Sequence, residues 1–214
     1  MTNVASLKTS SEPTASPGEI SPEEQQKFDR WFDARFEQKM REREAAHTPS
    51  MAIIATKGTI DWAYPPFILA STAAALGYDV SIFFTFYGLK LLKKDLDLEV
   101  TPVGNPAMPM KMPIGPDWFR EIDWPIPNFV KSNLPGFERM ATALMKRTFR
   151  QKGVASIEEL RELSVEAGVK LYACQMTVDA FGFDKPDFIS DITGWVGAAS
   201  FLPMAQKSDI TLFI

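Results

Sequence analysis

Cysteine and histidine are nearly missing from this chain: among 214 residues there is one of each, Cys174 and His47. A single cysteine excludes an intrachain disulfide, and cysteine-based zinc or iron–sulfur sites need more ligands than one. With His47 placed in a stretch that reads as a linker, no metal site is expected. Gly-x-Gly-x-x-Gly and Walker sequences are also absent, so no cofactor-binding residues are assigned. There is no Lys/Arg-rich block, and the formal net charge is −4, which argues against a nucleic-acid partner. No leader with a basic start and an apolar run opens the sequence, so export is not expected, and a free thiol fits a cytoplasmic setting. Uninterrupted apolar runs are scarce too. The longest candidate, 67–87, is broken by Gly77-Tyr78-Asp79. It divides more naturally into a helix, a turn and a buried strand than into a membrane span, which would place Asp79 near the membrane centre at about 2.5–3.5 kcal/mol. Membrane association is therefore the less favoured reading.

What is present is an ordinary globular composition, 45% apolar, with room for one sizeable domain and an appendage. Residues 1–20, rich in Ser, Thr, Pro and Glu, are expected to form a disordered tail. Ser21, Pro22 and Glu24 supply a helix cap, a first-position proline and a capping-box partner. Phe28, Trp31, Phe32, Phe36 and Met40 follow at helical spacing, predicting an amphipathic helical extension over 21–47. Its aromatic stripe suits docking onto its own domain or a sister subunit, with partner or membrane binding the alternative.

From residue 50 the pattern becomes α/β. Near-continuous apolar strands are predicted at 51–56, 79–86 and 168–173, with a last strand at 210–214. Helices are predicted between them at 61–76, 88–94, 137–151 (Met140, Leu144 and Phe149 inward), 157–167 (Ile157, Leu160 and Leu163 inward) and 193–208. The expected fold is a three-layer, mostly parallel sheet of about five strands with an N-terminal helical extension. The 95–136 insertion, dense in Pro and Met (Met108, Met110, Met112) and carrying Trp118 and Trp124, suits either a binding loop or an apolar oligomer contact.

Cys174 stands where the 168–173 strand meets a predicted helical turn starting at Thr177. Backbone N–H groups at such a junction favour thiolate, making a nucleophile or a group carrier. A small buried apolar filler is the equally weighted alternative. If the strands are parallel neighbours, Lys57 after the first strand shares a rim with Cys174 and stabilises an anion there; otherwise it is a plain turn residue. His47 is too remote to serve as a base. One thiol without acid/base helpers fits a carrier better than a multiple-turnover enzyme.

The segment Tyr172-Ala173-Cys174-Gln175-Met176-Thr177-Val178-Asp179-Ala180-Phe181-Gly182 resembles the active-cysteine segment of the DsrE/DsrF-like sulfur-carrier proteins, in their longer "type 2" branch. The runs 52–59, 77–89 and 199–214 are similar to the same branch, and the resemblance covers about 50–214. It implies a cytoplasmic, sometimes membrane-associated homo-oligomer that holds sulfane sulfur on Cys174 as a persulfide or thiosulfonate. Implied partners are TusA-like sulfur carriers and rhodanese-type sulfurtransferases in sulfur oxidation or relay. A thiol redox enzyme or sensor that borrows a resolving thiol, and an oligomeric membrane-linked adaptor, are the alternatives.

Overall fold

The computed structural model describes residues 20–101, 115–122, 133 and 135–214. Apart from Ile20, the tail expected over 1–20 lies outside these residues. So does most of the 95–136 insertion, including Met108, Met110, Met112 and Trp124. The chain divides into two compact units, Met1–His47 and Thr48–Ile214.

The described residues of the first unit form one long helix, α1 (Pro22–Ala46). Ser21 caps it: its hydroxyl accepts the Glu24 N–H while the Glu24 carboxylate accepts the Ser21 N–H. Phe28, Phe32 and Phe36 stack along one side, with successive ring centroids 6.2 and 6.0 Å apart, and they remain exposed.

The second unit is built on a five-stranded sheet of β1 (Ser50–Ala55), β2 (Asp79–Phe84), β3 (Lys170–Cys174), β4 (Gly194–Val196) and β5 (Ile210–Phe213). The strand order is β4-β3-β2-β1-β5 and every pairing is parallel. Between β1 and β2 runs α2 (Ile60–Ala75), followed after β2 by a 3-10 helix at Phe86–Leu92 and the single turn α3 (Asp117–Arg120). Helices α4 (Phe137–Gln151) and α5 (Ile157–Glu166) precede β3, α6 (Gln175–Phe181) leaves it directly, and α7 (Ala198–Lys207) joins β4 to β5. Strand alternation sorts the layers. Phe84 meets Phe67 of α2, while its neighbour Phe83 stacks on Phe201 of α7 at 4.8 Å. The two helices thus cover opposite faces. Phe67, Phe84 and Phe201 are fully buried, each stabilising the fold by about 1.5–3 kcal/mol.

Three details depart from the sequence reading. The helix expected over 193–208 begins instead with β4. Thr193 fixes this edge, donating its N–H to the Leu171 carbonyl at 2.8 Å and accepting the Leu171 N–H on its hydroxyl at 3.0 Å. On α5, Leu163 is exposed and Arg161 is buried. The Arg161 guanidinium donates to the carbonyls of Leu91 (2.9 Å) and Lys93 (2.7 Å) at the end of the 3-10 helix, so hydrogen bonding outweighs the apolar pattern there. On α4, Met140 is exposed while Phe137 and Thr142 are buried, because the Thr142 hydroxyl accepts the Val100 N–H. No helix among the described residues is long and apolar enough to cross a membrane; the 67–87 run is divided between α2, a turn and β2.

Candidate functional site

All five strands run the same way, so their carboxyl ends form one rim, where α/β sheets place ligands. Cys174 is the last residue of β3 and the cap of α6, and it is 2% exposed. It sits between two strands: its β4 partner is Val196, while the β2–β3 register ends at Phe84 opposite Ala173 and brings Thr85 beside the cysteine.

Two hydroxyls meet the sulfur there. Thr85, just past β2, follows the Phe84–Ala173 pair and so stands beside Cys174, and Thr177 lies in the first turn of α6, which Cys174 caps; their hydroxyls and the backbone N–H groups of Thr177 and Met176 favour negative charge on the sulfur. The hydroxyl oxygens of Thr85 and Thr177 are 3.3 Å apart, and Thr177 Oγ1 also accepts the Phe86 N–H at 3.2 Å. Burial pushes the Cys174 thiol up, but these four donors outweigh it and hold the thiol below its ordinary value. Cys174 is thus buried, as the filler reading expects, while its surroundings lower the thiol pKa, as the nucleophile reading expects.

Phe86, which donates to Thr177, is the one non-glycine residue with positive φ among those described, at 49°. Residues held in the left-handed region cluster at working sites, because surrounding structure must hold them there. Tight backbone packing does so here. A Cβ on Gly88 would lie 2.3 Å from the Ala55 carbonyl oxygen, and one on Gly58 would lie 2.2 Å from that of Tyr87. Both loops thus require glycine to pass so closely.

Lys57 lies on the predicted rim, but β2 separates β1 from β3, so Lys57 and Cys174 are not on neighbouring strands. Its ammonium sits 3.0 Å from the centroid of the Trp62 ring, a cation–π contact. Thr85 and Thr177, which the sequence reading missed, stand beside the cysteine instead. Thr177 carried a usable signal, standing one turn after the cysteine; Thr85 becomes relevant only through strand order.

Met176 and Phe181 are not core residues. Met176 is 64% exposed, and Phe181 stacks on exposed Tyr87 at 5.8 Å and meets Phe86 edge-on at 6.3 Å. An apolar, exposed rim therefore flanks the cysteine. The apolar groove between α2 and α4, lined by Tyr64, Ile68, Leu69, Met145 and Phe149, includes neither Cys174 nor its partners. No group of three or more His, Cys, Asp or Glu among the described residues is arranged to hold a metal. Asp61 instead accepts hydrogen bonds from the Thr101 N–H and hydroxyl, which tether the start of the insertion.

The fold is thus a parallel α/β sheet whose carboxyl rim carries the chain's single thiol. The chain belongs to the DsrE/DsrF/DrsH-like family, whose profile matches residues 47–213. It is 60% identical over 165 residues to the sulfur carrier protein DsrE2 of Allochromatium vinosum, covering 77% of this chain and 97% of that protein. It is 31% identical over 171 residues to the uncharacterized protein YrkE of Bacillus subtilis, covering 78% of this chain and 98% of that one.

Proposed function

We propose that this chain is a sulfur carrier that binds sulfane sulfur on Cys174 and passes it between proteins in sulfur oxidation or sulfur relay. The observation that carries the residue assignment is the thiol itself, buried at the sheet rim and held below its ordinary pKa by four donors. The kinship with a protein named as a sulfur carrier supports the wider reading. In the loading step the Cys174 thiolate attacks the outer sulfur of a donor persulfide, R–S–SH. The new bond forms at Cys174 Sγ, the donor's S–S bond breaks, and its electron pair leaves on R–S⁻. Cys174 then holds –S–SH, and no net oxidation has occurred. A thiosulfonate is a second form in which sulfur rests on Cys174. Cys174 is the only cysteine, so discharge requires a thiol from another molecule. TusA-like carriers and rhodanese-type sulfurtransferases in the cytoplasm are the partners of this reading, and the carrier acts as a homo-oligomer.

Intact mass after incubation with glutathione persulfide or polysulfide tests the proposal. The expected result is a reductant-sensitive gain of one sulfur on wild type and none on Cys174→Ser. Wild type that gains only oxygen, and only after peroxide, would make this a redox sensor instead.

A further inference from the structure

The hydroxyls of Thr85 and Thr177 meet beside Cys174, one across the β2–β3 pair and one in the helix turn that Cys174 caps, and their place next to Sγ has a directional consequence. In the loaded protein Sγ is the inner, uncharged atom of a persulfide, and any charge resides on the outer sulfur. When sulfur is handed on, Sγ becomes thiolate again. Groups that stabilise charge on Sγ therefore favour the discharged form.

We propose that Thr177, with Thr85 beside it, makes Cys174 a good leaving group and so biases this carrier toward releasing sulfur rather than retaining it. The inference rests on the sulfur-carrier reading given above. In the release step an acceptor thiolate attacks the protonated outer sulfur of Cys174–S–SH. The bond between Sγ and the outer sulfur breaks, the electron pair goes to Sγ, and the acceptor leaves as R–S–SH with the proton still on the transferred sulfur. Charge is −1 before and after, with no oxidant or reductant consumed.

The hydroxyl geometry suits this role. A threonine hydroxyl has one proton to give and lone pairs to accept with. The Phe86 N–H occupies one acceptor site on Thr177 Oγ1 at 3.2 Å, and Thr85 Oγ1 lies 3.3 Å from the same atom. With Sγ neutral, the two hydroxyls can hydrogen-bond to each other. As charge arrives on Sγ, both protons can rotate toward it, since Thr85 follows the Phe84–Ala173 pair next to Cys174 and Thr177 lies in the first turn of the helix that Cys174 caps. The N–H groups of Met176 and Thr177 are fixed, so the hydroxyl pair is the part that follows the charge. Phe86, in its left-handed conformation, ties the loop after β2 to the first turn of α6 through its N–H on Thr177 Oγ1.

The test uses full-length protein with Thr177→Val, which removes the hydroxyl and keeps the branched shape, and Thr177→Ser, which restores the hydroxyl. Iodoacetamide alkylation across pH reads the thiol independently of any sulfur chemistry. In Thr177→Val the alkylation midpoint should move to higher pH, and each unit of that rise lowers the rate at acidic pH. The high-pH plateau should rise, by about threefold per unit, because nucleophilicity increases with thiol pKa. The two profiles therefore cross, which a merely disordered site would not produce. Discharge of preloaded protein to glutathione should slow by about threefold or more, and Thr177→Ser should return both readouts toward wild type. An unchanged midpoint, or slow discharge that Thr177→Ser does not rescue, overturns the proposal. Failure of wild type to load sulfur would instead defeat the carrier reading, leaving the alkylation result to stand alone.

Discussion

At the scale of single residues, the thiol at the end of β3 and the glycines of the β1 and β2 loops each make a measurable prediction. Cys174 has a folded-state pKa below the ordinary thiol value of 9.0, so between those two pH values the unfolded chain binds the proton more tightly. The thiolate's contribution to stability is therefore fully present above the unfolded value and is lost as pH falls through the folded one. Urea unfolding of wild type and Cys174→Ala between pH 6 and 10 should show a stability difference that widens as pH rises. Lost packing adds only a constant offset, so a flat difference would mean the donors do not favour thiolate. Gly88 makes a second residue-level prediction. Its missing Cβ leaves room for the Ala55 carbonyl, and neither backbone can give way cheaply. Gly88→Ala should destabilise the fold by about 1–3 kcal/mol in denaturant unfolding. It should also slow Cys174 alkylation, because Thr85 and Phe86 lie on the displaced loop; normal alkylation would separate the loop from the site.

Elements show where sequence patterns carry and where they stop. The strands β1, β2 and β3 were legible because each is nearly all apolar, as strands covered on both faces must be. The capping box of α5 was equally plain: Ser156 and Glu159 exchange hydrogen bonds as their spacing predicts. The short β4 was not legible, since its three residues owe their form to the β3 edge and to Thr193. Nor was the buried face of α5. Apolar periodicity places Leu163 inward, but the chain leaves two carbonyls at the end of the 3-10 helix that need a donor, and Arg161 supplies it. Burial lowers the Arg161 pKa, partly offset by Glu158, Glu162 and Asp191, yet the guanidinium still serves two acceptors. Arg161→Ala strips both carbonyls of their partner and should cost about 2–3 kcal/mol by urea unfolding. Arg161→Lys should recover part of this, having a charge but no fork. A loss below 0.5 kcal/mol, on the order of an ordinary surface change, would show that the carbonyls find water instead.

For the molecule as a whole, the candidate site depends on the order in which strands assemble more than on any motif. Cys174 was identifiable as a rim residue because a strand visibly ends there. Thr177 was within reach of the same reading, one turn further on, but Thr85 was not, because it is 89 positions away and comes beside the cysteine only when β2 lies next to β3. The same order removed Lys57, since β2 intervenes. Every residue of this constellation lies within Thr48–Ile214, the second compact unit. The family profile begins at residue 47, and a 165-residue match covers 97% of the DsrE2 relative, so α1 lies outside the part that defines the family. That helix is stabilised locally, by its capping box and by ion pairs such as Lys39–Glu42 at 2.9 Å. A chain lacking residues 1–47 should keep its cooperative thermal unfolding, its depressed Cys174 alkylation midpoint and its reductant-sensitive sulfur gain. Midpoint and sulfur gain should match those of the full chain. A truncated protein that folds but no longer loads sulfur would place part of the site in the extension, and one that no longer unfolds cooperatively would show that the second unit does not stand alone.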